Sequence, residues 1–118
     1  MTVIVVDDEG IVRDTLAMVL SNNGFDVRTA GSGQEGLQIL AQTPAEFLIT
    51  DFLMPNMNGA ELLAEATRLH PGVKVILISG QVDCNDSMAK SARHAYATLR
   101  KPFDFRELMD LLAGPPTA

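Results

Sequence analysis

The hydrophobic and polar positions of this chain alternate between short apolar runs and longer segments with helical spacing. Five runs have the length of β-strands, and the first of them is a continuous β-branched run typical of a strand covered on both faces. They lie at residues 3–6, 25–30, 47–50, 73–78 and 96–100. A helical period follows each run, and Asn, Gly or Pro residues end the first three helices.

The predicted helices lie at residues 11–20, 34–42, 59–69, 85–94 and 105–112. The fourth is the least hydrophobic of them. Five repeats of strand and helix predict an α/β fold, a doubly wound five-stranded parallel sheet with helices on both faces and right-handed crossovers. Residues 114–118 are expected to form a flexible tail or the start of a linker, because they are rich in Gly and Pro.

The bulk properties restrict the class of protein. The 118 residues suit a single domain, here residues 1–113, with the hydrophobic (47%) and charged (20%) fractions of a globular protein. A net charge of −6 argues against a direct nucleic-acid-binding surface. The single cysteine, Cys84, excludes an internal disulfide. No apolar stretch approaches the ~20 residues of a membrane span, so we expect a cytoplasmic location and no membrane contact.

The ends of four predicted strands carry side chains whose chemistry fits together. Asp7 and Asp8 follow the first strand, and Asp51 follows the third. Ser79 and Lys101 follow the fourth and fifth. Because the carboxyl ends of parallel strands meet at one edge of the sheet, these residues are expected to share a site. Two carboxylates ~4 Å apart repel by on the order of 4 kcal/mol at an effective dielectric of 20, so an oxygen-rich site of this kind favours Mg²⁺.

A carboxylate in such a site can attack a phosphoryl group and form an acyl phosphate, which makes Asp51 the candidate nucleophile. Mg²⁺ and the Lys101 ammonium would neutralise charge, and the Ser79 hydroxyl could donate a hydrogen bond to a phosphoryl oxygen. Each residue alone also suits an ordinary turn or helix cap. Their joint occurrence at four strand ends favours the phosphoryl site.

Four motifs resemble the receiver domain of two-component response regulators. They are Val-Val-Asp-Asp-Glu at 5–9, Asp-Phe-Leu-Met-Pro-Asn-Met-Asn-Gly at 51–59, Ile-Ser-Gly at 78–80 and Leu-Arg-Lys-Pro-Phe at 99–103. The resemblance covers essentially the whole chain in the order and spacing of the family. It implies a flavodoxin-like (βα)5 fold and a phosphorylation-activated switch. A sensor histidine kinase or a phosphotransfer protein would supply the phosphoryl group.

The resemblance also implies roles for single residues. Asp51 would be the phosphoacceptor, while Ser79 and Lys101 would contact the phosphoryl group. The Lys101–Pro102 peptide bond would be cis. Residues 85–113 would form the face that meets an output domain or a partner protein.

The magnesium site carried over from the family uses neighbouring acids and one backbone group. Asp8, Asp51 and the backbone carbonyl of Leu53 would bind Mg²⁺. Asp7 would assist through a water molecule. Leu53 and Gln81 would flank the phosphoryl group and tune its hydrolysis, and we expect a phosphorylated state of moderate to long lifetime.

One position departs from the family in a way that affects signalling. Thr98 stands where receivers usually carry a switch aromatic, three residues before the lysine. Tyr96 has the same strand parity and is predicted to point to the same face as Thr98. Tyr96 is therefore either a displaced switch ring or an ordinary surface or edge aromatic.

Two other functions compete with a signalling switch. A small Mg²⁺-dependent phosphatase with an aspartyl-phosphate intermediate would usually place a second acid two residues after its nucleophile, where this chain has Leu53. A nucleotide- or flavin-binding module would need a glycine-rich loop after the first strand, where Asp7 and Asp8 stand instead. We therefore expect a phosphoacceptor domain that does not turn over external substrates.

Overall fold

The computed structural model describes residues 2–54, 57–80 and 93–113, which form a parallel sheet with helices on both faces. The strands are β1 (Thr2–Val6), β2 (Asp26–Ala30), β3 (Phe47–Asp51), β4 (Lys74–Ser79) and β5 (Ala97–Arg100). The described helices are α1 (Gly10–Asn22), α2 (Gly33–Gln42), α3 (Gly59–Leu69) and α4 (Phe105–Leu112). The prediction of a doubly wound α/β fold with five parallel strands is confirmed.

The strand order places two of the acid-bearing strands side by side. Neighbours in the sheet follow the order β2-β1-β3-β4-β5, and every pair is parallel. The chain therefore moves outward from β1 to β2 and then returns past β1 to β3. Val6 of β1 pairs with Thr50 of β3, so Asp7 and Asp51 follow at the same edge. Open α/β sheets bind ligands in the crevice at such a reversal.

Strand residues supply two buried cores, one on each face of the sheet. One core joins α1 and α4 to strand residues that include Val5, Ile49 and Ile78. The other core joins α2 and α3 to the alternate strand residues, which point to the opposite face of the sheet and include Val6 and Leu48. All five residues of β3 are buried, because this central strand is covered on both faces. The continuous apolar run before Asp51 therefore reflects burial on two sides.

Local capping determines where the helices around the site begin. The Asn58 side chain accepts a hydrogen bond from the Glu61 backbone N–H at 2.9 Å, and the Glu61 carboxylate accepts one from the Asn58 N–H at 3.4 Å. This reciprocal capping box begins α3 and thereby anchors the far end of the loop that follows Asp51. After the C-terminal end of α1, Gly24 turns the chain toward β2 with a φ of 91°, a conformation that suits glycine.

The predicted element boundaries differ from the observed ones by single residues at several strands. β2, β4 and β5 each begin one residue later than predicted, while β3 and β4 extend by one residue to Asp51 and Ser79. Most of the predicted helix at residues 85–94 lies outside the described residues, and its last two residues form a turn. Gln81, Cys84 and residues 114–118 also lie outside. Within the described ranges, no helix is both long enough and apolar enough to cross a bilayer.

Candidate functional site

The structure brings the three predicted acids together at the carboxyl edge of the sheet. Asp51 is the last residue of β3, and Asp7 and Asp8 come directly after β1. One carboxylate oxygen of each acid lies within 4.8 Å of the corresponding oxygens of the other two. Asp7 is 1% exposed and Asp51 is 6% exposed, whereas Asp8 faces solvent. Two buried carboxylates and one exposed carboxylate therefore border a single small volume.

The structure also brings Lys101 into this group. Its Nζ donates a hydrogen bond to Asp51 Oδ2 at 2.8 Å, across fifty positions of sequence. The Lys101 backbone N–H donates to the Ser79 carbonyl at 2.7 Å, which ties the end of β5 to the end of β4. The Lys101–Pro102 peptide bond is cis, as predicted. The lysine thus reaches Asp51 from a loop that the sheet itself holds in place.

The site shifts the pKa of two of its groups, the Asp7 carboxyl and the Lys101 ammonium. Burial raises the pKa of the Asp7 carboxyl above its ordinary value, and the charges of Asp51 and Asp8 raise it further. A hydrogen bond from the Glu9 backbone N–H and the charge of Lys101 oppose that rise. Burial lowers the pKa of Lys101, but the hydrogen bond to Asp51 and the surrounding acid charges raise it by more. One ammonium faces an excess of carboxylates, and a divalent cation with oxygen ligands would offset the remaining repulsion.

Backbone contacts fix the segment on the carboxyl side of Asp51. The Phe52 N–H donates to the Ile78 carbonyl at 2.8 Å, and the Gly59 N–H donates to the Phe52 carbonyl at 2.7 Å. A Cβ added to Gly59 would lie 2.8 Å from the Phe52 Cα and 3.1 Å from the Asp51 carbonyl oxygen. Only glycine permits this approach, which explains the glycine at the end of the motif.

Two further predicted site residues lie at the same edge. Ser79 is the last residue of β4 and is partly buried. Leu53 follows β3 by two residues and is 50% exposed, and its side chain carries no polar group. The contact of Ser79 with a phosphoryl group and the metal ligation by the Leu53 carbonyl stay predictions, as does the effect of Gln81.

Tyr96 lies one residue before β5, and the prediction that it shares a face with Thr98 is wrong. Thr98 pairs with Leu77 and lies exposed on the α2–α3 side of the sheet. Tyr96 precedes β5, and its ring packs edge-to-face against Phe47 with 5.7 Å between centroids, on the α1–α4 side. The two-residue alternation of a strand fails here because Tyr96 lies in a bend before the strand begins. Its role in switching stays a prediction.

An apolar groove beside Lys101 is a feature that the sequence reasoning missed. Its volume is about 670 Å³, and α1 and the segment after β5 line it. Ile11 is 85% exposed and Phe105 is 39% exposed along it. Both residues belong to apolar repeats with helical spacing, and such a repeat does not show which of its members stay exposed. Their exposure is a property of the tertiary structure.

A doubly wound sheet with acids and a lysine at its reversal point defines a class of α/β domain whose polar site lies at the carboxyl edge of the sheet. Residues 3–113 match the response regulator receiver domain family. The chain belongs to this family and is a receiver domain of two-component signalling. The resemblance stated from the four motifs is thereby confirmed.

Individual relatives show how the domain is used elsewhere. The chain is 31% identical over 111 residues to the DNA-binding transcriptional regulator NtrC of Azospirillum brasilense, covering 94% of this chain and 23% of that protein. It is 35% identical over 111 residues to the sensor kinase CckA of Brucella abortus, covering 91% of this chain and 12% of that protein. The chain therefore spans less than a quarter of the length of these relatives.

A solved structure supports the same family assignment. The response regulator receiver domain protein from Clostridium thermocellum superposes on this chain with a TM-score of 0.88 and 29% sequence identity. The match covers 95% of this chain and 90% of that structure. The relative thus adopts the same fold along nearly its whole length.

Proposed function

We propose that this chain is a phosphorylation-activated switch whose phosphoacceptor is Asp51. The observation that carries the proposal is the position of its buried carboxylate, 2.8 Å from the Lys101 ammonium and grouped with Asp7 and Asp8 at the reversal of strand order. The carboxylate lies at the crevice where this class of sheet binds ligands. Domain limits of residues 1–113 and a cytoplasmic location form part of the same proposal.

The transfer step involves one bond formed and one bond broken. An Asp51 carboxylate oxygen attacks the phosphorus of a phosphohistidine on the donor protein. The phosphorus–nitrogen bond breaks, its electron pair stays on the imidazole nitrogen that leaves, and Asp51 becomes an acyl phosphate. Lys101 then pairs with a phosphoryl oxygen instead of the carboxylate, and Ser79 donates its hydroxyl hydrogen bond to another.

The donor set at this edge fits Mg²⁺. Carboxylate oxygens of Asp7, Asp8 and Asp51 lie close enough together to surround one small cation, and a backbone carbonyl at Leu53 would complete an all-oxygen set. When bound, Mg²⁺ would supply charge neutralisation at the phosphoryl oxygens. The residues of the chain would hold it and orient the nucleophile.

The apolar groove supports a protein donor, a sensor histidine kinase or a phosphotransfer protein. A carrier that brings a phosphohistidine to Asp51 would cover the surface around Lys101, and Lys101 lines the groove. Exposed Ile11 and Phe105 give that surface an apolar contact area.

Ile11→Asp is therefore expected to slow transfer from a phosphorylated donor protein about tenfold. That factor corresponds to the loss of about one buried apolar contact between the two proteins. Acetyl phosphate needs no such surface, so its reaction should be unchanged.

The output is proposed to pass through residues 85–113 to an output domain or a partner protein. Residues 93–113 are the described part of that face. The Tyr96 hydroxyl donates to the Leu111 carbonyl at 3.5 Å, which connects the start of β5 to α4. The net charge of −6 supports a protein partner over direct contact with nucleic acid. The apolar Leu53 side chain supports a domain without turnover of external phosphate esters, since it offers no general acid.

Acetyl phosphate treatment tests the proposal. The protein is incubated with acetyl phosphate and Mg²⁺, and intact mass is measured over time for the wild type and for Asp51→Asn. We expect one phosphoryl group on the wild type, none on Asp51→Asn, and none on the wild type in EDTA. A parallel arm uses a phosphorylated donor protein, because receivers differ in their acceptance of small donors. Failure of the wild type to gain mass in both arms would contradict the proposal.

A further inference from the structure

The hydroxyl of Thr50 lies directly before the proposed phosphoacceptor and has no part in the chemistry above. Thr50 is fully buried in β3. Its Oγ1 donates a hydrogen bond to the Asp51 backbone carbonyl at 3.0 Å, and Met54 Sδ lies 3.9 Å from Thr50 Oγ1. A buried hydroxyl is costly unless it is hydrogen-bonded, whereas valine has the same shape without that cost. Packing alone therefore does not require threonine at this position.

The Asp51–Phe52 peptide is held at both ends. Its carbonyl accepts from Thr50, and its N–H donates to the Ile78 carbonyl at 2.8 Å. Gly59 closes the remaining side, because a Cβ there would lie 3.1 Å from the same carbonyl oxygen. The orientation of this peptide determines the direction in which the Asp51 side chain leaves the backbone. Successive strand side chains point to opposite faces, so Thr50 acts from the side away from Lys101.

We propose that Thr50 is a positioning residue for Asp51. Its hydroxyl holds the Asp51–Phe52 peptide and thereby aims the carboxylate at Lys101 and the acid cluster. The inference rests on the proposed role of Asp51 as phosphoacceptor. Loss of the hydroxyl lowers the rate of phosphoryl transfer, because a misdirected nucleophile spends less time in a reactive geometry.

The test compares Thr50→Val, which keeps the shape and removes the hydroxyl, with Thr50→Ser, which keeps the hydroxyl and removes a methyl group. Initial rates of acyl-phosphate formation from acetyl phosphate are measured by intact mass across a series of Mg²⁺ concentrations, with a thermal melt of each variant. We expect Thr50→Val to react about fivefold more slowly, the factor that one net hydrogen bond corresponds to. Thr50→Ser should stay close to the wild-type rate.

The two variants separate positioning from packing. Packing would make Thr50→Ser the more damaged variant, since it leaves a small cavity and lowers the melting temperature, whereas Thr50→Val fills the space. If Thr50 positions Asp51, Thr50→Val reacts more slowly than Thr50→Ser. Thr29→Val, at an exposed position of β2, is the matched control and should react like the wild type.

Each result bears on one claim. A Thr50→Val rate equal to the wild-type rate would overturn the positioning role, as would a Thr50→Ser rate as low as that of Thr50→Val. Either result would leave Asp51 as the phosphoacceptor. Absence of any Asp51-dependent mass gain in the wild type would instead overturn the proposed function itself.

Discussion

The two edges of the sheet each place a lysine beside buried side chains, but the two lysines meet different partners. At the carboxyl edge, the Lys101 ammonium bonds Asp51 at 2.8 Å, with two more acids in the same cluster. At the amino edge, Lys74 Nζ lies 5.3 Å from the centroid of the Phe47 ring and 5.4 Å from that of Tyr96. One lysine faces more negative charge than it can neutralise, and the other lies over neutral ring faces.

This difference distinguishes a functional edge from a structural one. The amino-edge cluster gains from ring packing and from cation–π attraction between Lys74 and the two rings. The carboxyl edge keeps like charges together at a cost to folding, which a sequence selected for stability alone would remove. The acids are therefore best explained by what they bind. Changes at the carboxyl edge should alter chemistry, while changes at the amino edge should alter stability.

The largest effect is expected for Lys101→Met, which keeps an apolar stem and removes the ammonium. Acyl-phosphate formation from acetyl phosphate should fall about a hundredfold, the scale of losing one electrostatic stabiliser in an active site. The rate of mass gain at saturating Mg²⁺ measures it. An unchanged rate would show that Lys101 takes no part in the chemistry. It would also contradict the assignment of the carboxyl edge to function and the amino edge to stability.

Tyr96→Ala should show the reverse behaviour. Removing a half-buried ring that packs on Phe47 should lower the free energy of unfolding by about 2 kcal/mol. The rate of Asp51 phosphorylation should not change, because the ring lies at the opposite edge of the sheet. Urea unfolding and acetyl phosphate kinetics on the same preparation test both halves. Loss of phosphorylation in a folded Tyr96→Ala protein would show that the edges are coupled.

Asp7→Asn should stabilise the protein in the absence of Mg²⁺. The pKa of Asp7 is raised above 3.8 in the fold, so its contribution to stability is complete below that value and is lost as pH rises through the raised pKa. Asparagine carries no charge, so the variant avoids this loss of stability, and its amide oxygen can still accept the hydrogen bond from the Glu9 N–H. Near neutral pH in EDTA, we expect a melting temperature higher than that of the wild type.

The pH dependence provides the control for Asp7→Asn. The advantage of the variant should shrink as the pH falls toward the ordinary pKa of an aspartate, because the wild-type carboxyl is then neutral as well. Added Mg²⁺ should stabilise the wild type more than the variant. A difference that stays constant across pH would assign the effect to packing instead of charge.

The smallest effect is expected for Lys74→Met, the same substitution at the other edge. An exposed cation–π contact contributes about 0.5 kcal/mol, and methionine keeps much of the apolar contact with the rings. Chemical denaturation should detect that small loss, and phosphorylation should proceed at the wild-type rate. A large kinetic effect would contradict the assignment of the amino edge to structure alone.

Most of the carboxyl edge could be predicted from the sequence, because strand ends are local signals. Apolar runs ending in Asp7, Asp51 and Lys101 indicate where strands stop, and the rule that parallel strands share one edge brings those ends together. The amino edge was harder to predict. Tyr96 lies one residue outside β5, and that single-residue boundary changes which face its ring occupies.

The chain alone determined the order of the described elements, the residues that end the first three helices and the identity of the acids, since periodicity and turn chemistry act over a few residues. The tertiary structure decided the rest. The 2.8 Å contact between Lys101 and Asp51, the exposure of Ile11 in the groove and the Thr50 hydrogen bond depend on how elements pack in three dimensions. Such contacts depend on distances between elements that no local pattern encodes.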